Sequence, residues 1–581
     1  MRSLLLENFD ALADAPNAIP KFRELVLQLA VTGRLVGREA GNAAHRLDVA
    51  ALAALPPEEN SGARHPRVEL LELDSSDLPP GWARVSLLDV SRGDGFFRDG
   101  DWIESKDQDP MGGVRLIQLA DIGDGVYKDQ SSRFLTEEKA AELNCSFLQA
   151  GDILIARMPA PLGRACRFPG DPKPSVTAVD VCIVRPNVRF FDPDYVVLAI
   201  NAPASRSWIG VRATGTTRQR ISRSSLADLP VAASSIAEQK RIVAKVDELM
   251  ARCDELEAKQ QARRAKLFAL NRASLRALTE PNGASLAPAW RRVRDHFDHL
   301  YATPETVAEL RRTILQLAVM GRLVPQDSND QPSSELLKKI RAEKERLIAE
   351  GKARKAKPLF ELGPERFAPE LPKGWAWACL ADLVASERHA IKRGPFGSAV
   401  KKAYFVPSGY KVYEQQHAIS GDFARGSYYV PQEKFEELAS FEIRPGEVII
   451  SCSGTVGKTA IVPDGIERGI INQALLKVTL NPRAMTQRYF RVLFEAYVMS
   501  TDLLSELAGT AQKNIVGVAM LKALPLPVPA LAEQARIVAK AEELIALCGD
   551  MEAKLQHART AADNLLTAVV HALAFPGKVG G

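Results

Sequence analysis

The sequence predicts an α+β chain of several domains built from one design used twice: two α/β globular domains separated by an antiparallel coiled coil of two long helices, related as a pseudo-twofold internal repeat. Three observations predict it. Residues 238–259, EQKRIVAKVDELMARCDELEAK, and 533–554, EQARIVAKAEELIALCGDMEAK, agree at 14 of 22 positions across an offset of 295. LQLAVTGRLV at 27–36 and LQLAVMGRLV at 315–324 agree at nine of ten positions across an offset of 288, so the duplication takes in most of the polypeptide. Each half then runs in one order: a short apolar helix, a variable linker, a Gly-Trp start, a long mixed segment and a heptad helix.

Taken in chain order, KFRELVLQLAVTGRLV places Phe22, Leu25, Val26 and Leu29 at helical spacing, as TVAELRRTILQLAVMGRLV places Leu310, Ile314 and Leu317. Gly33 and Gly321 are the expected stop signals. The linkers differ: 40–77 is loose and rich in Ala, Pro and Glu, whereas 326–370 holds a charged helix that ends in a basic run and prolines. Each linker leads to LPPGW or LPKGW, and Trp82 and Trp375 open segments that mix β-branched runs (GDILIAR at 151–157, GEVIISC at 446–452) with helices. The expected boundaries are 1–77 for the first helix and linker, 78–233 for a globular domain and 234–285 for a helical spacer. The second set is 286–370, 371–530 and 531–581.

In the heptad helices, Ile242, Leu249 and Leu256 lie seven apart with Val246 and Cys253 as a second row. Ile537, Leu544 and Met551, with Ala541, Cys548 and Leu555, repeat that pattern. The competing reading is an amphipathic helix packed on its own globular domain. Duplication favours an intramolecular pair, because two near-identical apolar seams in one chain most simply cover each other.

Composition bounds the function class. Hydrophobic residues at 46% and charged residues at 25% are globular values, which excludes wholesale disorder and fibrous classes. No run reaches the roughly 18–20 apolar residues of a membrane span, and MRSLLLENFDALADAP lacks a signal-peptide core, so the expected location is cytoplasmic, with no membrane. The seven cysteines are odd in number, scattered and never spaced CxxC, which reads as reduced thiols without a disulfide framework or zinc site. A net charge of +5 does not select a partner.

The heptad helices stayed alike while the globular segments align only at punctuation: Gly-Trp, Gly151 with Gly446, Gly163 with Gly457, Gly215-Thr216 with Gly509-Thr510, and a closing Leu-Pro. A constant frame carrying two different surfaces suits an asymmetric, two-part target. The ordered set AEQ-RIV-K-(D/E)EL, LQLAV-GRLV, LP-GW, GPFGS at 394–398 and GT-(R/Q) resembles the specificity subunits of type I DNA restriction-modification systems over nearly the full length. That resemblance implies two target recognition domains, each reading half of a bipartite site in double-stranded DNA. It implies paired helices as spacer and docking surface for two methyltransferase subunits, assembly with ATP-driven restriction subunits, and S-adenosylmethionine and ATP/Mg held by those partners, with no cofactor on this chain.

Candidate DNA-reading residues follow from side-chain chemistry, since Arg, Lys and hydroxyls grip phosphates while Arg, Gln and Asn pair with base edges. In the first domain they are Arg212, Thr216, Thr217, Arg218, Gln219, Arg220 and Arg223 around TGTTRQR, with Arg157 and Arg164 in the loop after GDILIAR, and Gln118. In the second they are Thr510, Gln512, Lys513 and Asn514 at the corresponding turn, Thr455 and Lys458 in the loop after GEVIISC, Lys392 and Arg393 beside GPFGS, and Gln415. The first domain is acidic at 96–110 where the second is basic, so contacts do not transfer between copies. SGTVGKT falls short of a nucleotide-binding loop, because the required first glycine position holds Cys452. No methyltransferase, helicase, metal-ligand or Ser/His/Asp signature emerges, and the expected role is non-catalytic. The rival reading is a coiled-coil scaffold that joins two protein-binding domains without DNA.

Overall fold

The computed structural model describes residues 12–37, 46–56, 70, 73–159, 161–215, 218–280, 286–351, 371–396, 399–499 and 517–574. Four helices frame the repeat: α1 (Ala18–Val31), α2 (Ile236–Thr279), α3 (Pro304–Val319) and α4 (Leu531–Ala574). The chain divides into two compact units, Met1–Arg263 with Arg559–Gly581, and Arg264–Ala558.

In the first unit, β1 (Ala83–Ser86) pairs antiparallel with β9 (Pro230–Ala233), closing the globular part where it enters and leaves. Between them lie β2 (Phe96–Asp99), β3 (Val114–Ile117), β4 (Arg133–Leu135), β5 (Ile153–Ala156), β6 (Ala165–Arg167), β7 (Ser175–Thr177) and β8 (Val181–Arg185). They form one sheet of order β2-β8-β5-β6 and another of order β4-β3-β7. Ile153 to Ala156 are buried on both faces, so this strand is a continuous apolar run instead of an alternating one.

The second unit repeats the plan. β10 (Ala376–Cys379) pairs with β18 (Pro525–Val528), and between them come β11 (Ile391–Arg393), β12 (Tyr410–Tyr413), β13 (Tyr429–Val430), β14 (Val448–Ser451), β15 (Thr459–Ile461), β16 (Gly469–Ile471) and β17 (Leu475–Val478). The sheet orders are β11-β17-β14-β15 and β13-β12-β16, the same as in the first unit strand for strand. Two segments with almost no shared side chains therefore adopt one topology, including the parallel pairs β3·β7 and β12·β16. Part of the charged linker, Ser333–Ala349, is helical and buries Leu337 and Ile340 in the second globular core.

The retained motifs are explained by packing. Gly33 and Gly321 take φ of +65° and +66°, which only glycine adopts without steric cost, and end α1 and α3 with paired reverse bonds: Gly33 N–H to Ala30 O with Arg34 N–H to Leu29 O, and Gly321 N–H to Ala318 O with Arg322 N–H to Leu317 O. Each glycine also lies directly under the LP-GW element, where a β-carbon would stand 2.7 Å from Pro79 in one copy and 2.6 Å from Pro372 in the other. The arginine that follows reaches a long helix's C-terminus. Arg34 Nη1 donates to the Leu573 carbonyl at 2.7 Å, and Arg322 Nη1 donates to the Leu278 and Glu280 carbonyls at 3.3 and 2.8 Å.

The seam residues divide between two kinds of partner. Ile242 and Val246 belong to the first globular core and Ile537 to the second, so the opening turns of α2 and α4 pack on their own domains, as the competing reading held. Farther along, Cys253 and Leu256 join Ala562, Leu566 and Val570 of α4 with Phe22 of α1 in a cluster of the first unit. Leu544, Cys548, Met551 and Leu555 join Leu275 and Leu278 of α2 with Leu310 and Ile314 of α3 in the second. Leu249 is half-buried, whereas Ala541 is fully buried. The short helices supply cover that heptad spacing alone did not foresee. Arg23 pairs with Glu257 at 2.8 Å, as Arg311 pairs with Glu552 at 2.7 Å, one contact made in both copies.

Candidate nucleic-acid interface

In the first unit, α-helical residues Pro203–Arg212 lead into a turn closed by reciprocal main-chain bonds between Thr214 and Arg220, both 2.9 Å. Gly215 takes φ +94°, and a β-carbon there would stand 2.5 Å from the Arg218 carbonyl, so this position demands glycine. Arg218, Gln219 and Arg220 are exposed. The Arg212 guanidinium, also exposed, stacks 3.9 Å above the Trp208 ring, which holds a flat cation at the surface. Thr216 and Thr217 lie outside the described residues.

Three of the expected arginines are turned to internal work. Arg164 is 7% exposed and donates to the carbonyls of Ile122 (2.6 Å), Leu119 (2.7 Å), Pro161 (3.0 Å) and Met158 (3.3 Å), and burial pushes its pKa down. A buried guanidinium with four of its five N–H groups on main-chain acceptors is held for structure and not presented to DNA. Arg157 donates to Asp99 Oδ1 at 2.6 Å, Val179 O at 3.0 Å and Ile221 O at 3.0 Å. Arg223 lies 3.7 Å from the other oxygen of Asp99. Gln118 caps a turn at the end of β3, with its side-chain carbonyl 3.3 Å from the Ser131 hydroxyl.

In the second unit, separated candidates converge. β14 and β15 pair antiparallel, so the SGTVGKT loop is a hairpin and not the strand-to-helix turn that cradles nucleotide phosphates. Ser451 Oγ accepts from Lys458 N–H at 2.9 Å and donates to Thr455 O at 2.6 Å, tying the loop from within and leaving the Thr455 and Lys458 side chains exposed. Gln415 Nε2 donates to the same Thr455 carbonyl at 3.2 Å. Arg393 reaches the Gln473 carbonyl at 3.5 Å, and Phe396 beyond it is 90% exposed. The Cys452 thiol beneath is pushed up to about 12 by burial, with Arg393 pulling the other way.

Lys392 departs from expectation. Its ammonium bonds Ser440 and lies 3.9 Å over the Phe441 ring, and burial, then Lys477 and Arg388, push its pKa down. It supports the sheet end instead of projecting from it. Thr510, Gln512, Lys513 and Asn514 lie outside the described residues. Register also shows that Gln118 corresponds to Glu414, since Ile117 and Tyr413 hold the same place opposite β7 and β16. Gln415 is one position farther on.

One residue escaped sequence reasoning altogether: Asp99, which occupies Arg157 and Arg223. The acidic stretch 96–110 was the available signal. Among the described residues no group of three or more His, Cys, Asp or Glu side chains is placed to hold a metal, none of the seven cysteines is bridged, and no helix is long and apolar enough to cross a membrane.

Comparison with known proteins agrees with the reading from the residues. Residues 406–558 match the family described as type I restriction modification DNA specificity domain. The type I restriction enzyme EcoAI specificity subunit of Escherichia coli is 26% identical over 95% of this chain and 93% of its own length. The EcoEI specificity subunit of the same organism is 25% identical over 95% and 93%. The solved HsdS subunit from Thermoanaerobacter tengcongensis aligns with 86% of this chain and 98% of its own at 18% identity, with a TM-score of 0.41.

Proposed function

We propose that the chain, which is similar to type I restriction-modification specificity subunits, is such a subunit and reads a bipartite, asymmetric site in duplex DNA, one half through residues 78–233 and the other through residues 371–530 as target recognition domains. The observation that carries this reading is a contrast: two domains of one strand order expose different polar groups at their surfaces. The first exposes Arg212, Arg218, Gln219 and Arg220, and the second exposes Thr455 and Lys458 beside the half-buried Arg393 and Gln415. Guanidinium and amide groups suit guanine and adenine edges in the major groove, and Lys458 suits a phosphate.

Specificity subunits are non-catalytic, so the part played by this chain is recognition. In the reading proposed, α2 and α4 run antiparallel as a spacer and dock two methyltransferase subunits, which flip the target adenine; restriction subunits complete the assembly, and S-adenosylmethionine and ATP/Mg reside on those partners. What supports the helix pairing is that each unit contains an apolar cluster to which both long helices contribute.

The test is modular. Exchanging residues 78–233 for the corresponding segment of a relative and mapping modified adenines in host DNA should change one half-site and leave the other as it was. A change in both halves, or in neither, overturns independent reading. Duplex binding that weakens steeply with salt is expected, whereas a protein scaffold would show no duplex binding even at low salt.

A further inference from the structure

The acidic end of β2 is not absorbed by the reading above. Asp99 is half-buried where β2 stops, and its two oxygens face Arg157 at 2.6 Å and Arg223 at 3.7 Å. Arg157 does more than neutralise it: its Nε donates to the Ile221 carbonyl at 3.0 Å, Nη1 to the Val179 carbonyl at 3.0 Å, and its main-chain carbonyl accepts from Ile221 N–H at 3.1 Å. Ile221 is the residue directly after Arg220, and is itself fully buried. The exit of the Thr214–Arg220 turn is thus nailed to the sheet by one guanidinium, whose other edge is fixed by Asp99.

Register shows that this device exists in one copy only. Asp99 stands opposite Cys182, which on its other side faces Ile155. Arg393 stands opposite Leu476, which on its other side faces Ile450. The two sheets being strand-for-strand equivalent, Asp99 and Arg393 hold the same position with opposite charge, and the place of Arg157 is taken by Cys452. Where the first copy has an acid facing two cations, the second has a cation.

We propose that Asp99 and Arg157 are positioning residues for the first half-site: by holding Ile221 they fix the angle at which Arg218, Gln219 and Arg220 meet the duplex, without touching DNA themselves. Bidentate pairing of a guanidinium or amide with a base edge is sensitive to orientation, so a turn free to rock keeps its charge but loses its discrimination. The inference rests on the reading of this chain as a DNA-specificity subunit.

The experiment uses the full chain, co-purified with its methyltransferase partners, and randomised duplexes selected by binding and sequenced. Asp99→Asn removes the charge with little change of shape, and Arg157→Lys keeps a cation for Asp99 while removing the fork that reaches Ile221. Each should lower discrimination at one half-site by about tenfold, the worth of one good base contact, and leave the other half-site unchanged. In an Arg218→Ala/Arg220→Ala background, Asp99→Asn should have no further effect, a coupling that a general loss of stability would not produce. Equal loss at both halves, additive effects, or tighter binding by Asp99→Asn through a released Arg157 or Arg223 would overturn the proposal. If the unaltered chain selects no bipartite motif, it is the DNA reading that fails, not the positioning role alone.

Discussion

Gln239 is bonded through its side-chain amide to the main chain of Phe190: Nε2 donates to the Phe190 carbonyl at 2.8 Å, and also to the Ser234 carbonyl at 2.8 Å, while Oε1 accepts from Asp192 N–H at 2.9 Å. Gln534 repeats the set with Ala484 O at 3.0 Å, Pro529 O at 3.1 Å and Thr486 N–H at 2.9 Å. Both glutamines are fully buried, and each fastens the first turn of a long helix to a loop of its own globular domain. The glutamine of the EQ pair at the head of each heptad helix is therefore a joint. Gln239→Ala strands three main-chain groups, of which buried examples cost about 1–3 kcal/mol each before relaxation. The expected loss is roughly 3 kcal/mol in chemical denaturation of the full chain, with the same loss for Gln534→Ala.

A second joint is steric. Gly33 takes φ +65° and a β-carbon there would stand 2.9 Å from the Trp82 ring; Gly321 takes φ +66° and a β-carbon there would stand 3.0 Å from Trp375. Alanine at either position takes on left-handed strain and must push an indole or proline aside. Gly33→Ala and Gly321→Ala should each cost roughly 2 kcal/mol or more, read as a lower melting temperature. Alanine at Gly37, which has nothing within 4 Å of a built β-carbon, should leave the melting temperature nearly unchanged.

Much of this frame was legible because repeats mark what a fold cannot change. Gly33, Arg34, Trp82 and Gln239 recur in the second copy, and they prove to be backbone-shape, capping, packing and joint residues respectively. What periodicity could not reveal was which neighbour covers each apolar position: Ile242 and Cys253 share one heptad pattern yet bury against a globular core and a helical cluster respectively. Heptad spacing specifies a stripe, not its occupant. The recognition surface was harder still, because an arginine suited to DNA by composition is equally suited to a carbonyl cage. Arg164 and Arg218 look alike in sequence, and only tertiary burial separates them. Asp99 stood in a visible acidic stretch, but its role was not legible because its partners lie 58 and 124 positions away.

Trp375 Nε1 donates to both oxygens of the buried Glu533 carboxylate at 3.0 Å. Burial raises the Glu533 pKa, and the Trp375 bond and Arg536 only partly offset it. Folding thus favours the protonated acid, so this group's contribution to stability is complete below its unfolded value of about 4.5 and is lost as pH rises through the higher folded value. Glu533→Gln keeps an acceptor for the indole and removes the buried charge. The variant should gain melting temperature relative to the parent near pH 8 and gain little near pH 4; a gain that does not depend on pH would contradict the assignment.

Lys458 lies in the β14–β15 hairpin and Gln415 braces that hairpin from the short helix Gln415–Ser420, so the two should fail differently. Lys458 is exposed at the head of the β14–β15 hairpin, and a cation there meets a phosphate as a point charge. Lys458→Ala should weaken binding about equally for every duplex sequence and lower the slope of log affinity against log salt by about 0.9, the amount expected for one phosphate contact. Gln415 has no charge to lose, and its amide already holds the Thr455 carbonyl at 3.2 Å. Gln415→Ala should leave the salt slope unchanged while reducing discrimination at the second half-site by about tenfold, through a lost base contact or a loosened loop. Salt titration and duplex selection on the same two variants separate the roles, and a fall in salt slope for Gln415→Ala would show that its contribution is electrostatic.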